Sequence, residues 1–295
     1  MKNFSIYVKL LYNKFMRERL PEYLKRPIID TDATRKVRKT LKHRCLNTVC
    51  ENARCPNKNE CYTKNTATFL IMGDVCTRNC RYCNISCARP LPLDVEEPLH
   101  VAEAVRDLGL KYAVITSVTR DDLPDGGAEH FALCIQKIRE MTSGVKIEIL
   151  TPDFKGNANS LDIIIKARPD VFNHNIETAR DIFKTARPQG DYETSLKVLK
   201  YMKDRGKLIT KSGFMIGLGE TMEQIRQTLT DLKNSGVDIV TIGQYIQPSK
   251  EHLAVEKYYK LEEYEDLKKM ASEIGFKHYQ IGPLVRSSYR AADLV

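Results

Sequence analysis

The 295-residue chain contains no apolar run approaching the roughly 18 consecutive residues that a membrane-spanning helix needs. A secretory leader is not written either, because the first residues lack a long apolar centre and a small-residue cleavage site. Met1 to Arg17 are basic and apolar with no acid, but they fall short of the Ser and Arg richness of an organelle presequence. These absences predict a cytoplasmic protein with no membrane span. No low-complexity linker and no internal repeat interrupts the chain, so one large core with appendages is expected rather than two equal domains.

Acidic residues are scarce at one end. Residues 1 to 44 carry thirteen Lys and Arg against Glu18, Glu22, Asp30 and Asp32, which accounts for the whole net charge of +9 and leaves the remainder balanced. Such an arm attracts an acidic partner, a membrane surface or nucleic acid, or is simply a solvated terminus. The aromatic-interleaved basic surface expected of a single-strand binder is not evident, so no nucleic-acid partner is expected.

What the chain has in excess is cysteine. Eight of its nine cysteines lie between Cys45 and Cys87. In a reducing compartment such crowding points to metal ligation rather than to disulfides.

From about Thr66 onward, β-branched apolar runs alternate with segments of helical period, the pattern of parallel strands with crossover helices. Strands are predicted at Ala67 to Met72, Tyr112 to Val118, Val145 to Leu150, Val171 to Asn175, Leu208 to Gly213 and Ile239 to Tyr245. Helices are signed by Val101, Val105 and Leu108 before Gly109, and by Ile225, Leu229 and Leu232 before Gly236. Thr221 with Gln224 predicts a capping box on the second of these. A helix from about Leu261 to Ile274 leads into a last extended stretch, His278 to Val285. The expected fold is α/β, a (β/α)6-type partial TIM barrel over residues 66–275. It carries an N-terminal cysteine-rich extension, residues 1–65, and a C-terminal segment, residues 276–295. Its active site would lie at the C-terminal ends of the strands.

Two cysteine triplets stand out. Cys76, Cys80 and Cys83 form a CxxxCxxC after the first predicted strand, and Cys50, Cys55 and Cys61 form a CxxxxCxxxxxC before it. Zinc sites usually take four Cys or His ligands, so three thiols in a barrel loop suggest a [4Fe–4S] cube with one iron left open. One zinc ribbon with spare thiols is the alternative. Cys45, Cys87 and Cys134 fall outside both motifs and are expected to be small buried apolar side chains.

With Tyr82 before its last cysteine, the first triplet resembles the radical S-adenosylmethionine superfamily. Lys211 to Glu220 is similar to that superfamily's GxIxGxxE stretch, with Met215 where Ile is usual, and Asp125-Gly126-Gly127 resembles the motif that meets the methionyl amine, although Ala128 replaces its usual acid. The resemblance implies that Gly126, Gly127, Asn175, Glu177, Gly213, Gly217 and Glu220 contact S-adenosylmethionine. Each segment alone is weak, since Gly after a strand commonly makes a turn and Asn or Glu a cap.

The second triplet resembles the auxiliary-cluster motif of the lipoyl synthase family, and so do Thr116 to Asp122, Asn173-His174-Asn175, Gly217 to Glu220, Gly243-Gln244-Tyr245 and Gly282 to Tyr289. Radical methylases of RNA are the rival within the superfamily. The lipoyl synthase resemblance implies two [4Fe–4S] clusters, on Cys76, Cys80 and Cys83 and on Cys50, Cys55 and Cys61, with Ser288 as fourth ligand of the second and Ser287 the alternative. It implies sulfur insertion at carbons 6 and 8 of an octanoyl group amide-linked to a lysine. That substrate sits on lipoyl carrier domains such as the 2-oxoacid dehydrogenase acyltransferase subunit and the glycine cleavage H protein. An electron donor such as ferredoxin or flavodoxin, and an iron–sulfur carrier protein, are implied as further partners. Unactivated C–H bonds have no acidic proton and no leaving group, so acid–base and nucleophilic routes cannot reach them, whereas a primary alkyl radical can.

Overall fold

The structure is a computed structural model, and it describes residues 20–27, 30–64 and 66–295. The acid-free stretch Met1 to Arg17 lies outside the described residues. Seven strands run parallel in sequential order: β1 (Thr68–Ile71), β2 (Tyr112–Ser117), β3 (Lys146–Leu150), β4 (Val171–Asn173), β5 (Ile209–Ile216), β6 (Ile239–Gln244) and β7 (His278–Gly282). Crossover helices α1 (Glu97–Leu108), α2 (Ala128–Met141), α3 (Ala158–Ala167), α4 (Tyr192–Gly206), α5 (Met222–Asn234) and α6 (Leu261–Glu273) connect them. No ladder joins β7 to β1 among the described residues, so the barrel stays open. The free edge of β1 is covered instead by an antiparallel pair of residues, Asn47 and Thr48.

The helical stripes read from the sequence are the buried ones: Val101, Val105 and Leu108 on α1, and Ile225, Leu229 and Leu232 on α5, all face the core. The capping box of α5 is formed, with Thr221 Oγ1 accepting the Gln224 N–H and Gln224 Oε1 the Thr221 N–H. Most strand limits fall within one or two residues of those read from the sequence, Val171–Asn173 ending two residues early, and two ends differ by three. The strand β5 runs on to Ile216, because Gly213 to Ile216 pair with Thr241 to Gln244 and the Met215 N–H donates to Glu177 O at 2.8 Å. Gly213 is therefore inside a strand and not on a loop. The last extended stretch stops at Gly282, where it has run parallel to β6 from Ile239 to Gly243, and Pro283 cannot donate to the ladder.

Side chains from the segment before β1 and from the tail after β7 bridge the opening. Asn57 Nδ2 donates to Leu284 O at 2.6 Å, and the Tyr289 hydroxyl donates to Glu60 Oε1 at 2.9 Å. Inside the barrel, Lys211 Nζ stands 3.0 Å from both oxygens of Glu148, which also accepts from the Tyr112 hydroxyl at 2.6 Å and from Asn173 Nδ2 at 2.9 Å. Both charged side chains are fully buried.

Candidate active site

The loop after β1 carries Cys76, Cys80 and Cys83, and the ends of four other strands grip it. Thr77 N–H and hydroxyl both donate to Thr119 O beyond β2, at 3.0 and 2.9 Å. The Arg78 guanidinium, buried, pairs with Asp121 at 2.7 Å and with Asp153 beyond β3 at 2.6 Å. Beyond β4, Ala186 O accepts the Arg81 N–H. Beyond β6, Leu253 N–H donates to Arg81 O, and His252 Nε2 lies 2.9 Å from Cys83 O. Cys76 Sγ accepts backbone N–H groups of Arg78 at 3.4 Å and Thr119 at 3.3 Å.

Against this loop stands a second group of polar side chains. Asn175 and Tyr82 both hydrogen-bond Glu177, whose backbone takes a φ of 71°. That left-handed conformation costs a residue with a Cβ on the order of 1 kcal/mol and is found where surroundings hold it, often at functional sites. Burial pushes the Glu177 carboxyl up, opposed by the nearby Arg187 charge. Arg187 is itself buried, within 3.9 Å of Asp153, and its Nη1 reaches Asn175 O at 3.4 Å. Burial, then the Arg187 charge, push the His174 imidazole down to about 4, so it is neutral. Its Nδ1 meets Thr151 O at 2.9 Å.

Several buried polar atoms at these strand ends have no hydrogen-bond partner among the described residues: Ser117 Oγ, Thr151 Oγ1, His174 Nε2 and Arg187 Nε. An unmet buried donor or acceptor costs about 1–3 kcal/mol, and their gathering beside the cysteine loop fits a polar ligand such as S-adenosylmethionine. Gly213 adds space: a Cβ there would lie 2.3 Å from Thr241 Oγ1, 3.1 Å from Asn175 Oδ1 and 3.2 Å from Ser287 Oγ.

The other expected cofactor contacts sit differently. Glu220 Oε1 accepts the Gly217 N–H at 2.6 Å and the Tyr259 hydroxyl at 2.9 Å, while Oε2 accepts the Leu218 N–H at 2.9 Å. Its carboxylate shapes the turn from within. Gly126 and Gly127 form the turn before α2, held by Asp125. A Cβ on Gly127 would meet Met72 Sδ at 2.2 Å, so its bareness admits the start of the cysteine loop.

The second triplet lies at the barrel's open seam. Cys50, Cys55 and Cys61 line a cavity of about 170 Å³ together with Ser288, Arg286, and Tyr112 and Val114 of β2. Burial, with the neighbouring Cys55, pushes the Cys50 thiol up to about 12 and the Cys61 thiol up to about 11. Uncharged thiols so close together fit a site whose metal must displace their protons. Among the described residues no fourth cysteine lines the cavity. Ser288 does, while Ser287 Oγ turns the other way and donates to Asn175 Oδ1 at 2.8 Å.

Among the described residues no three His, Cys, Asp or Glu side chains are gathered tightly enough to hold a single metal ion. On the measure by which one water needs about 10–15 Å³, the cavity has room for a group larger than a single ion. Of the cysteines outside the motifs, Cys134 is buried as expected, but Cys45 and Cys87 are exposed. Cys45 lies just past the helix Asp32–His43, on a left-handed backbone with φ 53° that turns it away from the buried stripe of Val37 and Leu41, and Cys87 lies on a two-residue ribbon whose residues are both exposed. Arg78, Asp121, Asp153 and Arg187 were not singled out as site residues by the sequence, since their partnerships join loops far apart in the chain.

Comparison with known proteins agrees with this geometry. Residues 70–232 match the radical SAM superfamily. The fold is shared with solved structures of low identity. One is SuiB of Streptococcus suis bound to precursor peptide SuiA, at 12% identity and TM-score 0.57, covering 95% of this chain and 61% of that one. Another is methylornithine synthase, at 13% and 0.53, covering 85% of this chain and 79% of that one. The chain is thus a radical SAM protein built on a partial barrel. Lipoyl synthase of Rubrobacter xylanophilus is 50% identical over 96% of this chain and 89% of the relative. That of Caldanaerobacter subterraneus subsp. tengcongensis is 49% identical over 94% and 97%. The chain belongs to the lipoyl synthase family, enzymes that insert sulfur with S-adenosylmethionine and [4Fe–4S] clusters. No helix of the described residues is long and apolar enough to cross a membrane.

Proposed function

We propose that this chain converts an octanoyl group, amide-linked to a lysine of a lipoyl carrier domain, into a lipoyl group by inserting sulfur at carbons 6 and 8. Cys76, Cys80 and Cys83 would hold the cluster whose open iron takes S-adenosylmethionine. Cys50, Cys55, Cys61 and Ser288 would hold the second. When bound, the first supplies the electron that generates an alkyl radical from S-adenosylmethionine, and the second supplies the sulfur.

The chain's own residues bind and orient. Asn175, Glu177, Gly213 and Arg187 offer polar contacts beside the cysteine loop, while Glu220 and Asp125 fix the turns bearing Gly217 and Gly126-Gly127. Arg78, tied to two carboxylates, holds the loop so that its thiols keep one geometry. Such preorganisation matters for a reactive radical, which any misplaced contact would quench. Ser288 offers the auxiliary site an oxygen where a fourth thiolate would be usual, a weaker ligand for iron that can leave when sulfur is released.

The basic stretch before residue 45 suits an acidic carrier domain through electrostatic steering. Electrons would come from a ferredoxin or flavodoxin, and an iron–sulfur carrier would rebuild the auxiliary cluster, in the cytoplasm. The observation that carries the reading is the convergence of Ser288 with the second triplet in one cavity, with Ser287 turned to Asn175. An anaerobic single turnover with an octanoyl-lysyl peptide, S-adenosylmethionine and a reductant tests it by mass spectrometry. Wild type should add two sulfurs. Ser288→Ala should still cleave S-adenosylmethionine but insert little sulfur, with Ser287→Ala milder. Wild-type dithiolated product from Ser288→Ala would refute the ligand assignment.

A further inference from the structure

One carboxylate joins the two pieces of chain that bear the auxiliary ligands. Glu60 lies on the short helix Lys58–Thr63, directly before Cys61. Its Oε1 accepts the Tyr289 hydroxyl at 2.9 Å and Arg290 Nη2 at 2.9 Å, and Tyr289 directly follows Ser288. Arg26 and Lys64 stand farther off, at 3.9 and 3.8 Å. Arg290 holds a left-handed backbone, φ 48°, which a residue with a Cβ adopts only when something compensates.

The tail has a second fixed point at Leu284, whose carbonyl accepts from the buried Asn57. Between the two anchors the chain turns, with the Tyr289 N–H donating to Arg286 O at 2.9 Å, and Ser288 sits in that turn. Ser287 Oγ, donating to Asn175 Oδ1 at 2.8 Å, is a third tie within the turn, and the Glu60 contacts hold the end of the segment that follows Ser288. Leu284 is anchored through a buried amide, whereas Glu60 is partly exposed at the cavity rim.

We propose that Glu60 is the positioning residue that clasps the C-terminal tail and so holds the Ser288 hydroxyl against the auxiliary cluster. This rests on the reading of Ser288 as a ligand. Release of the Tyr289 and Arg290 contacts would free one end of the turn, making the oxygen-bound iron the one that leaves.

The test uses the full-length chain carrying Cys76→Ala, Cys80→Ala and Cys83→Ala, reconstituted anaerobically, so that only the auxiliary cluster of about four irons remains. Loss of iron to a chelator is followed with time, alongside Mössbauer spectra. Glu60→Gln should lose its first iron about tenfold faster than the parent, the factor given by about 1.4 kcal/mol. Tyr289→Phe, which keeps the Arg290 contact, should show a smaller acceleration, and Lys64→Gln none. The Mössbauer signal of the oxygen-ligated iron should become heterogeneous, while those of the three thiolate-bound irons stay unchanged. General loosening of the site would disturb all four and overturn the proposal. If Glu60→Gln does not assemble a full cluster, Tyr289→Phe decides by the same readings. Parental rates in both, with fast loss in Ser288→Ala, would refute the clasp and leave the ligand standing. A parental rate in Ser288→Ala would refute the ligand itself.

Discussion

Lys211→Met tests whether the barrel interior depends on its buried ion pair. Lys211 and Glu148 are both fully buried, and Lys211 Nζ is equidistant from the two carboxylate oxygens at 3.0 Å. Removing the cation leaves a carboxylate with only the Tyr112 hydroxyl and Asn173 Nδ2 to satisfy it. Breaking a buried pair from one side costs about 3–5 kcal/mol, and the two surviving donors place this case near the lower end, at about 3 kcal/mol. At roughly 2 °C per kcal/mol for a chain of this size, the apparent melting midpoint should fall by about 6 °C. Lys211→Met with Glu148→Gln removes both charges, leaves an acceptor for Tyr112, and should recover at least half of the loss. The assay is anaerobic thermal denaturation of cluster-loaded protein at one fixed scan rate, because cluster loss makes the transition irreversible. Glu148→Gln alone completes the cycle that isolates coupling between the two groups, and a Lys211→Met variant within about 1 °C of wild type, or a double variant no better than Lys211→Met, would refute the reasoning.

Cys76→Ala, Cys80→Ala and Cys83→Ala together should leave about four irons and abolish 5′-deoxyadenosine formation; undiminished formation would place cofactor activation elsewhere. Replacing Cys50, Cys55 and Cys61 should spare that cleavage and stop sulfur transfer, so normal lipoyl product from this variant would mean another sulfur source. Gly243→Ala would set a Cβ 2.1 Å from Val285 O and force the tail off β6. It should retain S-adenosylmethionine cleavage and lose most sulfur insertion in single turnover; full dithiolation would show that the tail's path does not matter. Arg78→Met should uncouple the cysteine loop from Asp121 and Asp153 and lower the iron bound at the first triplet, read as iron per chain in a Cys50, Cys55 and Cys61 triple-Ala background.

The cysteine triplets were legible because close sequence spacing alone puts three thiols on one short segment of chain. The strands were legible because each is a short β-branched run bounded by turn residues. The final strand was harder to place, since His278, Tyr279 and Gln280 carry little apolar signal and only the ladder to β6 makes them a strand. Glu220 shows a different limit: a motif states that an acid stands there but not that its oxygens turn inward onto Gly217, Leu218 and Tyr259. Arg78 and Arg187 escaped for the same reason, as a lone arginine acquires meaning only from carboxylates that the topology delivers from other strand ends.

The choice between Ser287 and Ser288 shows what a tail can do that a motif cannot state. The side chains of adjacent residues in the turn after β7 face opposite ways: Ser288 lines the cavity of Cys50, Cys55 and Cys61, while Ser287 donates to Asn175, which hydrogen-bonds Glu177 beside the other triplet. Two neighbouring hydroxyls therefore touch both halves of the site. A shift of the tail that withdraws Ser288 must also disturb Ser287, because one peptide joins them and the turn is closed by a single Tyr289-to-Arg286 hydrogen bond. The cavity of Cys50, Cys55 and Cys61 and the polar group beside the other triplet are thus joined through one short segment, and if Ser288 is the ligand proposed above, its withdrawal should alter the Ser287–Asn175 hydrogen bond.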